Sequence, residues 1–409
     1  MYVEKIPWTA NYEETEIPAY TLPDALLCQD GTTVKNAEEW QNKRRPELLE
    51  IFKKEMYGQI LPMPDHVEYE VLTDSKPALD GIAMMRQTRI HFKMDNGKSH
   101  DVDVLMFTPA KEGKHPVFVG LTFVGNHVCS TDPEIIITGR RMDASEEYQK
   151  DLESKRGFQE RRFPLKEIIS RGYAIAFACY HDIFPDRPSG WKESALNLFI
   201  PIGELASPSG YSSIGVWSWG ISRILDYVST LPEIDAEKAC VFGHSRLGKT
   251  SLWTGVIDER FKLVCVNDSG CGGAALSRRL YGETLFSMMH YTGIGKYWFT
   301  ATLRPYVYAT DTLPMDQHEL IALVAPRAVA VHSATEDQWA DPTGEYLSAY
   351  YAGKVFSLFG KEPLKSLTPP PPDTPVGTDV SYFERTGKHD ILLSDWTHYM
   401  DMADRIFQK

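Results

Sequence analysis

A chain of 409 residues with 43 Lys and Arg against 56 Asp and Glu has a formal charge of −13, so it lacks the basic face that phosphate neutralisation needs, which argues against a nucleic-acid partner. Its 43% apolar and 11% aromatic content suffices for a large core, and no run of about 18 apolar residues offers a membrane span. The six cysteines (Cys28, Cys129, Cys179, Cys240, Cys265 and Cys271) form no CxxC pair, and three of them sit in apolar strand-like runs, so they read as buried, reduced thiols.

Met1–Trp8 shows no basic patch followed by an apolar run, so no signal peptide is expected there. A helix is predicted around Trp40, Leu48, Leu49, Ile51 and Phe52, and alternating segments at Val67–Leu72 and Ile82–Phe92 predict antiparallel edge strands. From about residue 100, β-branched apolar runs alternate with helical patterns. The strand candidates are Val102–Thr108, Val117–Phe123, Ala174–Tyr180, Ala239–Gly243, Leu263–Asn267, Ala328–Ser333 and Val380–Arg385, with helical spacing over Ser213–Val228 and Thr250–Val256. That alternation predicts a mostly parallel sheet between two layers of helices, in the order of an α/β-hydrolase. Residues 1–409 read as one such domain, with 1–100 extending the same sheet. Segments near 127–165, 186–210 and 275–320 are too long for simple connections and are expected to wall the cleft. The loop Thr368–Asp373, rich in proline, reads as a stiff surface connection.

The run Val241-Phe242-Gly243-His244-Ser245-Arg246-Leu247-Gly248-Lys249 reads as a buried strand, a sharp turn exposing one serine, and a helix start. A serine hydroxyl is a poor nucleophile at neutral pH and needs a base, an acid to orient that base, and donors for an oxyanion. Leu247 stands where Gly-x-Ser-x-Gly would place a glycine, and Gly248 follows one position late. The base is expected between the last strand and the last helix, where Gly387-Lys388-His389 lies. His398 is a rival, but Trp396, Met400, Ala403 and Phe407 form one apolar helical face, which predicts that His398 faces solvent. His115, His244 and His332 abut or lie in strands and read as structural; no HxxxH or HExxH spacing calls for a metal. Two acids qualify as the partner of His389: Asp337 after the strand at 328–333, and Asp268 after the strand before it. Either could hold the imidazole in the right tautomer, though an aspartate after a strand is more often a turn cap.

At these residues the chain resembles the glucuronoyl esterases, α/β-hydrolases that cleave the ester between 4-O-methyl-glucuronic acid on xylan and an alcohol of lignin. Their Gly-Cys-Ser-Arg-x-Gly-Lys signature is matched by Gly243–Lys249 except at the second position, and Asp268-Ser269-Gly270-Cys271-Gly272-Gly273 is similar to a second family run. The resemblance implies that Arg246 joins backbone N–H groups against the oxyanion, and that Lys249, Glu283 and Trp339 bind the uronate. Fungal members tie the residues before the serine and the histidine by a disulfide; here these are His244 and Lys388, as in the bacterial branch. Family members usually carry Glu at the Asp268 position, so both Asp337 and Asp268 stand as acids for His389.

The resulting expectation is a serine carboxylic-ester hydrolase acting on glucuronoxylan or lignin–carbohydrate esters, with Ser245, His389, Asp337, Asp268 and Arg246 in catalysis and Lys249, Glu283 and Trp339 in binding. No metal or organic cofactor is implied, nor a nucleic-acid, membrane or obligate protein partner. Such a substrate lies outside the cell, which implies a secreted or periplasmic protein. The alternatives are an acetyl-xylan-type esterase, with the sugar on the alcohol side, and a non-catalytic carbohydrate-binding protein on a hydrolase scaffold.

Overall fold

The computed structural model describes residues 9–139, 146–201 and 210–408. The reading of Met1–Trp8, and parts of two of the predicted insertions, fall outside them. Ten strands form one sheet: β1 (His66–Ala78), β2 (Ala83–Lys93), β3 (Ser99–Pro109), β4 (His115–Thr122), β5 (Ala174–Cys179), β6 (Ile234–His244), β7 (Phe261–Asn267), β8 (Ala328–Ala334), β9 (Val376–Gly377) and β10 (Val380–Arg385). Their order is β1-β2-β3-β5-β4-β6-β7-β8-β10-β9. The six strands from β5 to β10 pair in parallel, while β1, β2 and β3 add an antiparallel wing at one edge.

The parallel strands are largely apolar because both faces are covered: β4, β5 and β8 are buried at every position. β1, at the outer edge, leaves most of its residues exposed or half-buried. The helix Ser213–Val228 occurs where its spacing predicts; Ser212 caps it by accepting from the Gly215 N–H, and it is buried almost all round. Near the N-terminus, helical turns run from Ala37 to Tyr57 and include two π-turns, with Trp40, Leu48 and Phe52 in the core. All six cysteines are free and buried.

One predicted surface residue is half-buried. The helix Leu393–Phe407 does bury Trp396, Met400 and Ala403, but side chains of β8 and β10 flank His398 and leave it half-buried. His332 Nδ1–H donates to Asp395 Oδ1 (3.0 Å), so its Nε2 accepts from His398 Nδ1–H (2.7 Å); the rings stack with centroids 4.9 Å apart, and His398 Nε2 lies 3.3 Å from Ser381 Oγ. Burial, with His332 and Arg405 adding to it, holds the His398 imidazole down at about 3. Between that value and the ordinary 6.5 the unfolded chain binds a proton that the folded chain refuses, so stability falls as pH falls through this window. His398→Gln, which keeps a neutral hydrogen-bonding side chain, is expected to lose less thermal midpoint than the parent between pH 7 and pH 5. Parallel losses in thermal melts would assign the acid sensitivity elsewhere.

Candidate active site

β6 ends at His244 and a helix begins at Arg246, so Ser245 alone makes the turn, at φ 59° and ψ −129°. A non-glycine residue there is strained, and the surroundings impose it. The Ser245 N–H donates to Asn267 O (2.8 Å), while Ser245 O accepts from Gly248 N–H (2.8 Å) and Lys249 N–H (3.1 Å). Two glycines permit the approach. A Cβ on Gly243 would stand 1.9 Å from Leu247 O, and one on Gly248 would stand 2.8 Å from Asn267 O and 3.1 Å from Ser269 Cβ. The late glycine thus has a cause: three residues past the serine, the helix turns that side against the end of β7 and the Asp268–Gly273 turn.

His389 sits on the loop after β10, tied round one buried guanidinium. Arg385 Nη2–H donates to Lys388 O (2.7 Å) and Asp390 O (2.8 Å), either side of His389, and Arg385 Nε–H to Asp395 Oδ2 (3.1 Å). The His389 Nδ1–H donates to Asp337 Oδ2 at 2.5 Å, and Asp337 is buried on the turn after β8. That bond fixes the tautomer that leaves Nε2 as a base. Asp268, fully buried, brings Oδ2 only to 3.9 Å from the same Nδ1 and accepts from the Asp390 N–H (3.2 Å). Burial first, then the carboxylates of Asp337, Glu345 and Asp395, push its pKa well above the ordinary value, against the pull of Arg385. Of the two acids, Asp337 is in bonding distance and Asp268 lies beneath.

His244, expected to be structural, is buried at the end of β6, yet its ring packs on that of His389 with centroids 4.4 Å apart. Its Nδ1–H donates to Asn267 Oδ1 (2.5 Å). Burial chiefly holds its pKa well below the ordinary value, so a neutral imidazole forms the floor under His389.

Lys249 is buried with two of its three ammonium donors engaged, to Ser269 O (2.5 Å) and Glu283 Oε2 (2.8 Å). Glu283 Oε1 accepts from Trp339 Nε1–H (3.3 Å). The three residues expected to bind substrate are therefore one linked cluster, one turn of helix from Ser245. Arg246, half-buried, pairs through Nη1 with Asp186, and its guanidinium lies 4.8 Å from the centre of the Trp298 ring. Nothing in the sequence marked Asp186, Tyr297 or Trp298, which fall in or beside long insertions and acquire meaning only through contacts distant in the chain.

Among the described residues, His244, Asp268 and His389 bring ligand-type atoms within 4.8 Å of one another. Both imidazole Nδ1 atoms already donate to oxygen acceptors, and the Arg385 guanidinium stands 3.8 Å from Asp268 Oδ2, a charge that opposes a dication.

Residues 206–360 match a family model described as glucuronyl esterase, fungi. The carbohydrate esterase MZ0003, from an unknown prokaryotic organism, is 39% identical over 406 residues, covering 96% of this chain and 91% of that protein. A 4-O-methyl-glucuronoyl methylesterase of Schizophyllum commune is 35% identical over 348 residues, covering 83% of this chain and 74% of that protein. Among solved structures, a glucuronoyl esterase from Solibacter usitatus superposes with a TM-score of 0.88 at 37% identity, covering 96% of this chain and 99% of that one.

Proposed function

The chain belongs to the glucuronoyl esterase family, and on that premise we propose that it hydrolyses the ester between the carboxyl group of (4-O-methyl-)glucuronic acid and an alcohol, as in glucuronoxylan–lignin linkages. The observation that carries the reading is an imidazole held by a buried carboxylate at 2.5 Å, on a ring packed beside the strained turn of Ser245. Ser245 Oγ attacks the ester carbonyl while His389 Nε2 takes its proton, and Asp337 stabilises the imidazolium that forms. The tetrahedral oxyanion is met by the guanidinium of Arg246 and by N–H groups at the start of its helix, where the dipole favours negative charge. Collapse expels the alcohol, which takes the proton from His389. Water, deprotonated by His389, then attacks the acyl-enzyme and releases the uronate, and the proton passes back to Ser245.

The linked Lys249–Glu283–Trp339 cluster supports a uronate on the acyl side. The third donor of Lys249 and the remaining lone pairs of Glu283 suit the hydroxyls of a sugar bound next to the serine. A substrate of this kind lies outside the cell, and no described helix is long and apolar enough to cross a membrane.

The test compares turnover of methyl 4-O-methyl-glucuronate with deacetylation of acetylated xylan by the same preparation. The glucuronate ester is expected to have a kcat/KM at least about a hundredfold higher, because an acetyl group leaves buried polar partners unpaired. Equal or reversed rates would favour an acetyl-xylan-type esterase, and binding without turnover a non-catalytic carbohydrate-binding role.

A further inference from the structure

We propose that Asp186 is the positioning residue for Arg246, selecting which of its donors faces the reaction. This rests on the reading of Arg246 as an oxyanion donor. Asp186 belongs to the segment after β5, and its side chain is only 3% exposed. It accepts on every side. Oδ2 takes Arg246 Nη1–H and Tyr180 Oη–H (2.9 Å), Oδ1 takes Tyr297 Oη–H (3.0 Å) and Trp298 Nε1–H (2.8 Å), and its own N–H donates to His181 Nδ1 (3.0 Å). Burial would raise its carboxyl, but the charge of Arg246 and the hydrogen bonds from Trp298, Tyr180 and Arg246 outweigh burial and leave it below the ordinary value.

A guanidinium presents its donors on two useful edges, and Nε–H shares one of them with Nη2. By holding Nη1, Asp186 leaves the Nε–Nη2 edge free. Nε is buried without a hydrogen-bond partner among the described residues, a costly state for a charged donor unless a ligand completes it. The Trp298 ring, 4.8 Å from the guanidinium carbon, restrains its tilt. A two-donor edge fixed by one anion and one aromatic face is a preorganised receiver for an oxygen whose charge develops in the transition state. This also gives the 275–320 insertion a task, since Tyr297 and Trp298 reach in from it to hold Asp186.

The arrangement requires a carboxylate. Asn at this position would turn its NH2 either against Arg246 or against Trp298 Nε1–H, and neither can accept a hydrogen bond.

A kinetic double-mutant cycle on methyl glucuronate tests the assignment, using the parent, Asp186→Asn, Arg246→Gln and the pair. Asp186→Asn is expected to lower kcat about 10- to 100-fold with KM within about threefold, and to change kcat less than about threefold in the Arg246→Gln background. Equal losses in both backgrounds, or no loss in the parent, overturn the proposal while leaving the esterase reading intact. Arg246→Gln with the kcat of the parent overturns the oxyanion reading itself, and the assignment of Asp186 with it. Should Asp186→Asn fail to fold in a thermal melt, Tyr297→Phe enters the same cycle. It removes one donor to Asp186 and is expected to cost about three- to tenfold in kcat in the parent and nothing with Arg246→Gln; no loss in the parent, or the same loss in both, overturns the proposal equally.

Discussion

Ser245→Ala is expected to abolish turnover of a methyl or benzyl glucuronate ester, by at least about 10⁴-fold in kcat, without unfolding the protein. The size of the effect follows from the chemistry: without Oγ no acyl-enzyme forms, and the imidazole and the oxyanion donors are left with only a direct attack by water to assist. The survival of the fold follows from the turn. The contacts that hold φ at 59° are main-chain bonds, from the Ser245 N–H to Asn267 O and from Gly248 and Lys249 to Ser245 O, and alanine keeps all of them. Alanine also has the same Cβ, so it meets the same strain. A thermal midpoint within about 2 °C of the parent is expected. Turnover retained by a correctly folded Ser245→Ala protein would refute the nucleophile and the mechanism built on it.

What the sequence disclosed about this site depended on how the chain brings residues together. Ser245, His389, Asp337 and Asp268 each follow a strand end, and in a parallel sheet strand ends share one edge, so position in the chain translates directly into proximity. The strands themselves were legible because burial on both faces strips most of their length of polar residues: Ala174–Cys179 begins where the pattern does and ends one residue before it. β6 runs further back, to Ile234, because Asp235–Lys238, exposed or half-buried, fall in an irregularity of the pairing with β4 between Ile234 and Ala239, where composition gives no apolar signal. β9, two residues long, is too short for any periodicity. The helical face of Leu393–Phe407 was legible too, but a period says which residues face the core and not what else flanks it, so the half-burial of His398 was missed. Asp186 was hidden for a stronger reason. Its neighbours Tyr180, Arg246, Tyr297 and Trp298 come from three separate stretches of chain, and no local pattern links them. His244 lay in plain view as a strand residue, and only the loop of His389 folding over it made it part of the site.

The division of labour between the two acids leads to the second large effect. Asp337→Asn is expected to lower kcat about 10³- to 10⁴-fold, because an amide can present its NH2 to His389 Nδ1 and so favour the tautomer that puts the proton on the nitrogen meant to act as base. Asp268→Asn is expected to cost no more than about tenfold. Asp268 Oδ2 stands 3.9 Å from His389 Nδ1, beyond bonding distance, and its burial favours the neutral acid, of which Asn is a neutral isostere able to keep the bond from the Asp390 N–H. The interplay of the two carries a sign. Because the charge of Asp337 is the second cause raising Asp268, removing that charge makes Asp268 easier to ionise, and an ionised Asp268 is then the carboxylate near Nδ1 among the described residues. The residual activity of Asp337→Asn is therefore expected to rise with pH as Asp268 loses its proton, and that rise is expected to vanish in the Asp337→Asn, Asp268→Asn pair. kcat measured against pH for the three proteins checks this. Two mild single defects with an inactive pair would instead mean that both acids serve His389 equally in the parent, and a large loss from Asp268→Asn alone would reverse the assignment.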